Sequence, residues 1–214
     1  MTTRAFCVGV DEVGRGPWAG PVCAGAVILH PARPIAGLKD SKKLTARRRE
    51  ALSPQIQTQS LAWGLGWASA QEVDADNILV ATFWAMQRAV RDCLSRLTSV
   101  PDAEAAYTTD AFAIRVDGQA LPGRVLGLDA WPWATEAVVG GDALVAEISA
   151  ASILAKVARD AEMARLDTVY PGYGFAQHAG YGTALHQRAL ADLGPCPEHR
   201  RSFAPIARLI GRAA

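Results

Sequence analysis

Cysteine is scarce in this chain and unpaired in its spacing. There are four, Cys7, Cys23, Cys93 and Cys196, with no C-x-x-C pair. That pattern argues against a disulfide framework and a thiolate zinc site, and reduced thiols are the simplest reading. The four histidines likewise show no zinc-ligand spacing. Charge of one sign is also lacking. A formal net charge of +1 excludes tight attraction to nucleic acid through bulk charge, so any such contact falls to local patches and bridging cations. No apolar run is long enough to span a membrane. The Ala-rich stretch from Ala143 to Ala158 is interrupted by Asp142, Glu147 and Lys156 well short of the ~20 apolar residues a span needs. The N-terminal M-T-T-R-A-F-C-V-G-V-D holds no apolar signal-peptide core, and a cytoplasmic location is expected. A G-x-x-x-x-G-K-[ST] loop is absent, which removes P-loop phosphotransfer. The tail offers no motif readable as a docking peptide.

What remains is the composition of an ordinary globular protein, 50% hydrophobic and 20% charged over 214 residues, and a single α/β domain spanning residues 1–214 is expected. The chain is organised around Val8 to Val22, V-G-V-D-E-V-G-R-G-P-W-A-G-P-V. Phe6 to Val10 has the composition of a buried strand, and two carboxylates, Asp11 and Glu12, stand where it should end. A carboxylate at the edge of an apolar layer loses hydration unless it is paired or bound to a cation. If the strand continues, Glu12 points to the face opposite Asp11, which makes Asp11 the better inward ligand. Gly14, Gly16 and Gly20, with Pro17 and Pro21, form a turn that lets backbone approach something closely. It is not a dinucleotide fingerprint, because the third glycine falls one residue late. Taken alone, an acidic pair at a strand end is more often solvated than catalytic.

Further along, Val22 to Leu29 and Leu61 to Ala68 read as strands, and the three early strands should form an antiparallel meander. Between them L-K-D-S-K-K-L-T-A-R-R-R-E-A-L carries six cations, with Thr45 as N-cap of a helix running to about Gln59. This is either a solvated helix start or a phosphate-binding edge. Glu72 to Leu97 reads as one long helix with an apolar stripe of Ile78, Ala81, Ala85, Ala89 and Val90. Ser99 to Asp110 is polar and irregular, a surface connection. Strands are expected near Ala111 to Val116 and Glu136 to Val139. The first leads into Asp117-Gly118, which is an ordinary turn or a repeat of the strand-then-acid pattern. The second leads through Gly140-Gly141 into Asp142, which either caps the following helix or joins the acids. That helix is rich in Ala and Ser, which suits close packing on a sheet.

Several of these stretches together resemble the type 2 ribonucleases H, the bacterial ribonuclease HII group. D-E-V-G-R-G-P-W-A-G-P-V is similar to the family's opening signature, and D-S-K-K-L follows in order. Next come Val73, Asp74, Asn77, Ile78, Leu79, Ala81 and Thr82 of V-D-x-x-N-I-L-x-A-T. S-A-A-S-I-L-A-K-V-x-R-D, Ser149 to Asp160, fixes the alignment, and Y-P-G-Y-G-F-A-Q-H-A-G-Y-G-T and G-P-C-P-E-H-R-R-S-F-A-P-I complete it. Motifs in one order weigh more than any single motif. The resemblance implies a ribonuclease H-like fold, a five-stranded mixed sheet flanked by helices with a helical C-terminal part from about Asp142. It implies Asp11, Glu12, Asp117 and Asp142 as the catalytic, metal-binding acids, and gives no role to Glu147.

Physical chemistry supports that set. Phosphodiester hydrolysis needs an activated water and charge stabilisation at the attacking and leaving oxygens. Two Mn2+ or Mg2+ ions about 3.5–4 Å apart supply both, and hard ions prefer carboxylate oxygen. The resemblance further implies that Lys42 contacts the nucleic-acid backbone, that the Gly14-Arg15-Gly16 backbone meets the ribose 2′-hydroxyl, and that Tyr181 packs on the sugar. The expected reaction is endonucleolytic cleavage of the RNA strand of RNA/DNA hybrids, and 5′ to ribonucleotides embedded in duplex DNA, giving 3′-hydroxyl and 5′-phosphate ends. Ribonucleotide excision repair is the implied setting and a monomer the expected state. Two departures are visible. Gly140-Gly141-Asp142 stands where the family usually has Lys-Gly-Asp, and His178-Ala179-Gly180-Tyr181 where it often has His-Lys-Gly-Tyr. Weaker substrate affinity is expected from the two lost cations, with catalysis intact. A module that binds hybrids without cutting them is the rival class.

Overall fold

The computed structural model describes residues 6–97 and 112–212. Its sheet begins with β1 (Phe6–Val13), β2 (Val22–Ile28) and β3 (Ala62–Ala68), an antiparallel meander in which Val10 pairs with Ala26 and Gly25 with Leu65. β4 (Phe112–Asp117) joins the other edge of β1 in parallel, and β5 (Thr135–Val138) joins β4 in parallel. The order β3-β2-β1-β4-β5 is therefore mixed, antiparallel on one side of β1 and parallel on the other.

Helices cover both faces. Where one helix is expected from Glu72 to Leu97, two form, α2 (Ala70–Asp76) and α3 (Ile78–Leu97). Asn77 breaks the run. Its φ of 72° is left-handed, and its side chain restarts the helix by accepting from Leu79 N at 2.9 Å and Val80 N at 3.2 Å. α3 lays Ala81, Phe83, Ala85, Met86, Ala89 and Val90 against Val8, Val10, Ala24 and Ala26 of the sheet. Full burial of a side chain such as Phe83 or Met86 contributes about 1.5–3 kcal/mol. The connection expected at Ser99 to Asp110 lies outside the described residues.

The opposite face carries α1 (Ala46–Gln59), capped by Thr45 as expected, and α6 (Ala146–Val169). α6 lies very close to the sheet, as its Ala and Ser content suggests. A Cβ on Gly25 would sit 2.4 Å from the Ala151 carbonyl oxygen, so any side chain there would push the helix away. Period-two alternation then sorts β1. Val8 and Val10 enter the layer beneath α3, whereas Gly9 and Asp11 face α6. The short α4 (Pro122–Leu126) and α5 (Gly141–Leu144) border β4 and β5, and α7 (Phe175–His178), α8 (Ala184–Leu193) and α9 (Ala204–Arg212) complete a helical C-terminal part. Asp142 is not the cap of the long helix. It lies inside α5, and Val145 caps α6 without a side-chain bond.

Candidate active site

The C-terminal ends of parallel strands open a crevice where ligands bind in α/β sheets. Here β1, β4 and β5 end together, and each delivers acid. Asp11 and Glu12 lie near the end of β1, which runs on to Val13, two residues past the expected acidic edge. Because the strand continues, the two carboxylates straddle it as the alternation requires. Asp117 ends β4, one step past the Val10–Val116 pair and so beside Asp11. Asp142 follows β5 through the Gly140 turn, and its N–H donates to Asp117 Oδ1 at 3.4 Å. Asp11 is only 4% exposed and Asp142 8%.

This convergence is electrostatically uneasy. Burial, then the charges of Glu12 and Asp117, hold the Asp11 carboxyl well above the ordinary range, although Ser152 and the Glu12 N–H donate to it. Burial also raises Glu12, against the pull of Arg15, whose Nη1 lies 3.2 Å from Glu12 Oε1. Asp142 is raised by burial, by Asp117 and by Asp40, which hydrogen-bonds it. Among the described residues, no three or more His, Cys, Asp or Glu side chains are already gathered into a metal cage. The donor chemistry nonetheless fits a hard divalent ion, since all four groups are carboxylates with charge to be offset. Such ions keep water or substrate phosphate oxygens in their shell and do not demand a closed protein cage.

The wall behind the acids comes from stretches whose sequence gave no such signal. Ser152 of α6 hydrogen-bonds Asp11 and lies 2.8 Å, Oγ to Oγ, from Ser41 of D-S-K-K. Ser149, one turn earlier, donates to the Asp142 carbonyl at 2.6 Å. The string that identified the alignment therefore also holds two acid-bearing segments in place. Arg49 donates to the carbonyls of Ser41 and Leu44, at 2.8 and 2.6 Å, which fixes the D-S-K-K turn. Lys42 on that turn is exposed and faces the acids. Burial alone would lower its ammonium, but Asp11, Asp142, Asp40 and Asp117 together raise it. Asp40, the acid of the same D-S-K-K turn, is a fifth acid at the site.

The glycine turn lies alongside. A Cβ built on Gly16 would be 3.4 Å from Tyr181 Cε1, so the turn and the tyrosine expected from opposite ends of the chain do meet. Gly14 has φ +95°, and a Cβ there would sit 2.1 Å from Arg159 Nε, so only glycine fits. Two buried arginines anchor this side. Arg200 donates to the carbonyls of Gly14, Arg15, Pro17 and Gly20 at 2.6–3.1 Å, and Arg159 to those of Pro21, Ala19 and Ala179 at 2.9–3.3 Å. Their sequence signal was the motif strings R-D and H-R-R-S-F. The backbone role was not readable there, because a lone arginine in a string does not announce that it is buried.

A family model described as ribonuclease HII matches residues 8–206. The chain belongs to the ribonuclease HII family. The ribonuclease HII of Halorhodospira halophila (strain DSM 244 / SL1) is 55% identical over 204 residues, 95% of this chain and 94% of the relative. In fold, the chain is similar to the ribonuclease H2 of Pyrococcus horikoshii OT3, with a TM-score of 0.69 at 24% identity over 97% of this chain and 98% of that one. It is also similar to Bst-RNase HIII, solved in complex with Mn2+, with a TM-score of 0.69 at 17% identity over 98% of this chain and 70% of that one. As a member of the ribonuclease HII family the protein is a hydrolase, a nuclease with ribonuclease H activity. No helix among the described residues is long and apolar enough to cross a membrane.

Proposed function

We propose that the protein cleaves the RNA strand of RNA/DNA hybrids, and the backbone 5′ to ribonucleotides embedded in duplex DNA, leaving 3′-hydroxyl and 5′-phosphate ends. Asp11, Glu12, Asp117 and Asp142 would hold the divalent ions, Mn2+ or Mg2+, two per site during catalysis. Such ions supply an activated water and offset charge on the phosphate oxygens. The Mn2+ complex of Bst-RNase HIII supports that choice of cofactor. The observation that carries the reading is the meeting of this four-carboxylate crevice with an exposed tyrosine over a glycine turn.

Each part of the chain has a task in this reading. The carboxylates orient the ions, whose positive charge in turn offsets their mutual repulsion. Ser152 and Ser149 hold Asp11 and the Asp142 segment still, so that the ligands are aimed before substrate arrives. Lys42 meets a backbone phosphate, and the acids around it keep it charged. The Gly14-Arg15-Gly16 backbone reads the 2′-hydroxyl, the group that distinguishes RNA from DNA. Tyr181, 49% exposed, offers its ring to the sugar. With Gly140 and Ala179 in place of the family's lysines, phosphate contact rests more heavily on Lys42 and Arg15.

Three labelled duplexes test the reading: all DNA, DNA with one ribonucleotide, and an RNA/DNA hybrid, each with Mg2+, Mn2+ or chelator. The expected result is metal-dependent cutting of the hybrid and 5′ of the lone ribonucleotide, with the DNA control intact. Binding without cutting under either metal would favour the non-catalytic module.

A further inference from the structure

Tyr181 presents an exposed ring on a main chain that has no free polar group. Its N–H donates to the His178 carbonyl at 2.9 Å, and its own carbonyl accepts from Thr183 N at 2.8 Å and faces His186 Nδ1 at 3.0 Å. Before it, Gly180 N donates to His178 Nδ1 at 3.2 Å, and the Gly180 carbonyl accepts from Trp18 N at 2.8 Å. Three of these contacts involve His178 or His186. A third imidazole, His199 of the tail, completes the group, with Nε2 2.9 Å from His186 Nε2. His186 and His199 are 0% and 1% exposed, and His178 is 9% exposed with its ring stacked 4.5 Å from that of His186.

The partners leave a single arrangement of protons. His178 Nε2 lies 2.8 Å from the Tyr173 carbonyl, which only accepts, so Nε2 carries the proton while Nδ1 accepts from Gly180. His186 Nδ1 faces the Tyr181 carbonyl and must donate. His199 Nδ1 lies 2.9 Å from Cys196 N and 3.3 Å from the Cys196 carbonyl, but His186 Nε2, with its proton on Nδ1, offers only a lone pair, so the His199 proton is on Nε2 and its Nδ1 accepts from Cys196 N. Donation thus runs one way, from Cys196 N–H through His199 and His186 to the Tyr181 carbonyl. All three rings are neutral and satisfied. A proton added to His186 or His199 would set two N–H groups against each other in a buried contact. Burial and the neighbouring rings oppose this, pushing His199 down to about 4 and lowering His186.

We infer that His199 and His186 form a neutral hydrogen-bond relay, braced by the stacked ring of His178, that positions Tyr181 over the glycine turn and so sets ribonucleotide selectivity from the C-terminal tail. This rests on the proposed role of Tyr181 at the sugar. The three histidines are positioning residues, and nothing in their contacts touches the acids. An aromatic surface reads a sugar only if it is held in place, and misplacement by about 1 Å can cost ~10²-fold in rate.

A double-mutant cycle with two conservative choices tests it. H199F keeps a ring but removes the donor, leaving His186 Nε2 buried without a partner. H199Q keeps an amide donor near the Nε2 position. On the single-ribonucleotide duplex, H199F should lower kcat by about tenfold, with KM changed less, and H199Q should recover most of that. With Y181A already present, H199F should cost at most about twofold more in rate, while its loss of thermal stability should be the same in both backgrounds. An equal rate loss in both backgrounds would reduce the relay to a structural role and overturn the inference. Imidazole 15N shifts of the unmodified protein at neutral pH give an independent readout. Protons on Nε2 of His178 and His199 and on Nδ1 of His186 are expected, and a cationic or reversed ring overturns the relay. If Y181A alone cleaves like the parent, the sugar-packing reading fails and the selectivity role with it, a failure distinct from wrong tautomers.

Discussion

The two halves of the crevice are built on opposite electrostatic plans. On the acid side, Asp11, Glu12 and Asp142 are crowded and partly desolvated, and each holds its proton more tightly than usual. On the sugar side, Arg200, Arg159 and three neutral histidines saturate the backbone of the glycine turn and of Tyr181, and the buried cations lie against carbonyls. Burial accordingly drives Arg200 down to about 9, yet its hydrogen bonds to carbonyl oxygens are those of a cation. In the proposed reading, bound cations offset the charge of one half. The other is complete before substrate arrives. The contrast teaches which part of the protein should respond to metal and which to packing.

The largest effect should come from breaking the acid half. D11N keeps an oxygen where the Glu12 N–H donates at 2.7 Å, so the strand end should hold. Cleavage should nevertheless fall by roughly 10²–10³-fold or more, the scale for losing a group that organises developing charge. Single-turnover cleavage of the hybrid with Mn2+ measures this, and a rate within a few-fold of the parent would remove Asp11 from the catalytic set. Next in size is R200M, which strips the donors from four carbonyls of the glycine turn. Leaving such groups buried and unpaired costs about 1–3 kcal/mol each. A loss of ~3 kcal/mol or more corresponds to a Tm roughly 6–12 °C lower in a chain of this size. Thermal unfolding decides it, and an unchanged Tm would show that the turn holds itself.

Much of this division was legible in the sequence, and the parts that were not share a cause. The meander and the Thr45 cap follow from alternation and capping chemistry, whereas the four acids stand out singly as carboxylates after apolar runs and become a set only through what the family resemblance implies. The family resemblance then joined Tyr181 to the glycine turn across most of the chain. Asn77 enters the sequence only as one member of a motif string, and its left-handed φ and the helix break it makes lie in backbone geometry that a continuous apolar stripe conceals. Asp142 could not be told from a helix cap, because both readings place an acid after Gly-Gly. Ser152, Arg159, Arg200 and the three histidines were missed for a different reason. Each acts through partners remote in sequence, such as Ser41 for Ser152 and Gly14 for Arg200. Nothing local distinguishes a serine facing a carboxylate from one packed against a sheet.

A smaller effect should separate the halves by pH and metal. Unfolded, the acids release protons near ordinary values of about 3.9–4.3. Folded, Asp11, Glu12 and Asp142 hold them to higher pH, so the folded protein binds more protons in that window. Stability measured with chelator should therefore fall as pH rises through the ordinary carboxylate range towards the folded values. Mn2+ should recover it at neutral pH, and D11N should flatten both responses and raise the Tm under chelator by a few degrees, about 2–4 °C per kcal/mol. R200M, on the saturated side, should leave the metal-induced shift in Tm intact. If Mn2+ raised the Tm of the parent and of D11N alike, the cation would be binding elsewhere.

The smallest effect should fall on Lys42, which stands between the two halves. Its ammonium faces Asp11, Asp142, Asp40 and Asp117, so in the free protein it offsets part of their repulsion. In the complex it is to meet a phosphate, and the two duties pull against each other. K42A should therefore weaken hybrid binding only a few-fold at moderate salt. The dependence of log Kd on log salt should become shallower by about one unit, one phosphate contact fewer, with the preference for ribonucleotide unchanged. Binding titrations with Ca2+ in place of Mn2+, across a salt series, read the slope without cleavage. A slope equal to the parent's would assign Lys42 wholly to the acids, and would shift phosphate contact on this side to Arg15.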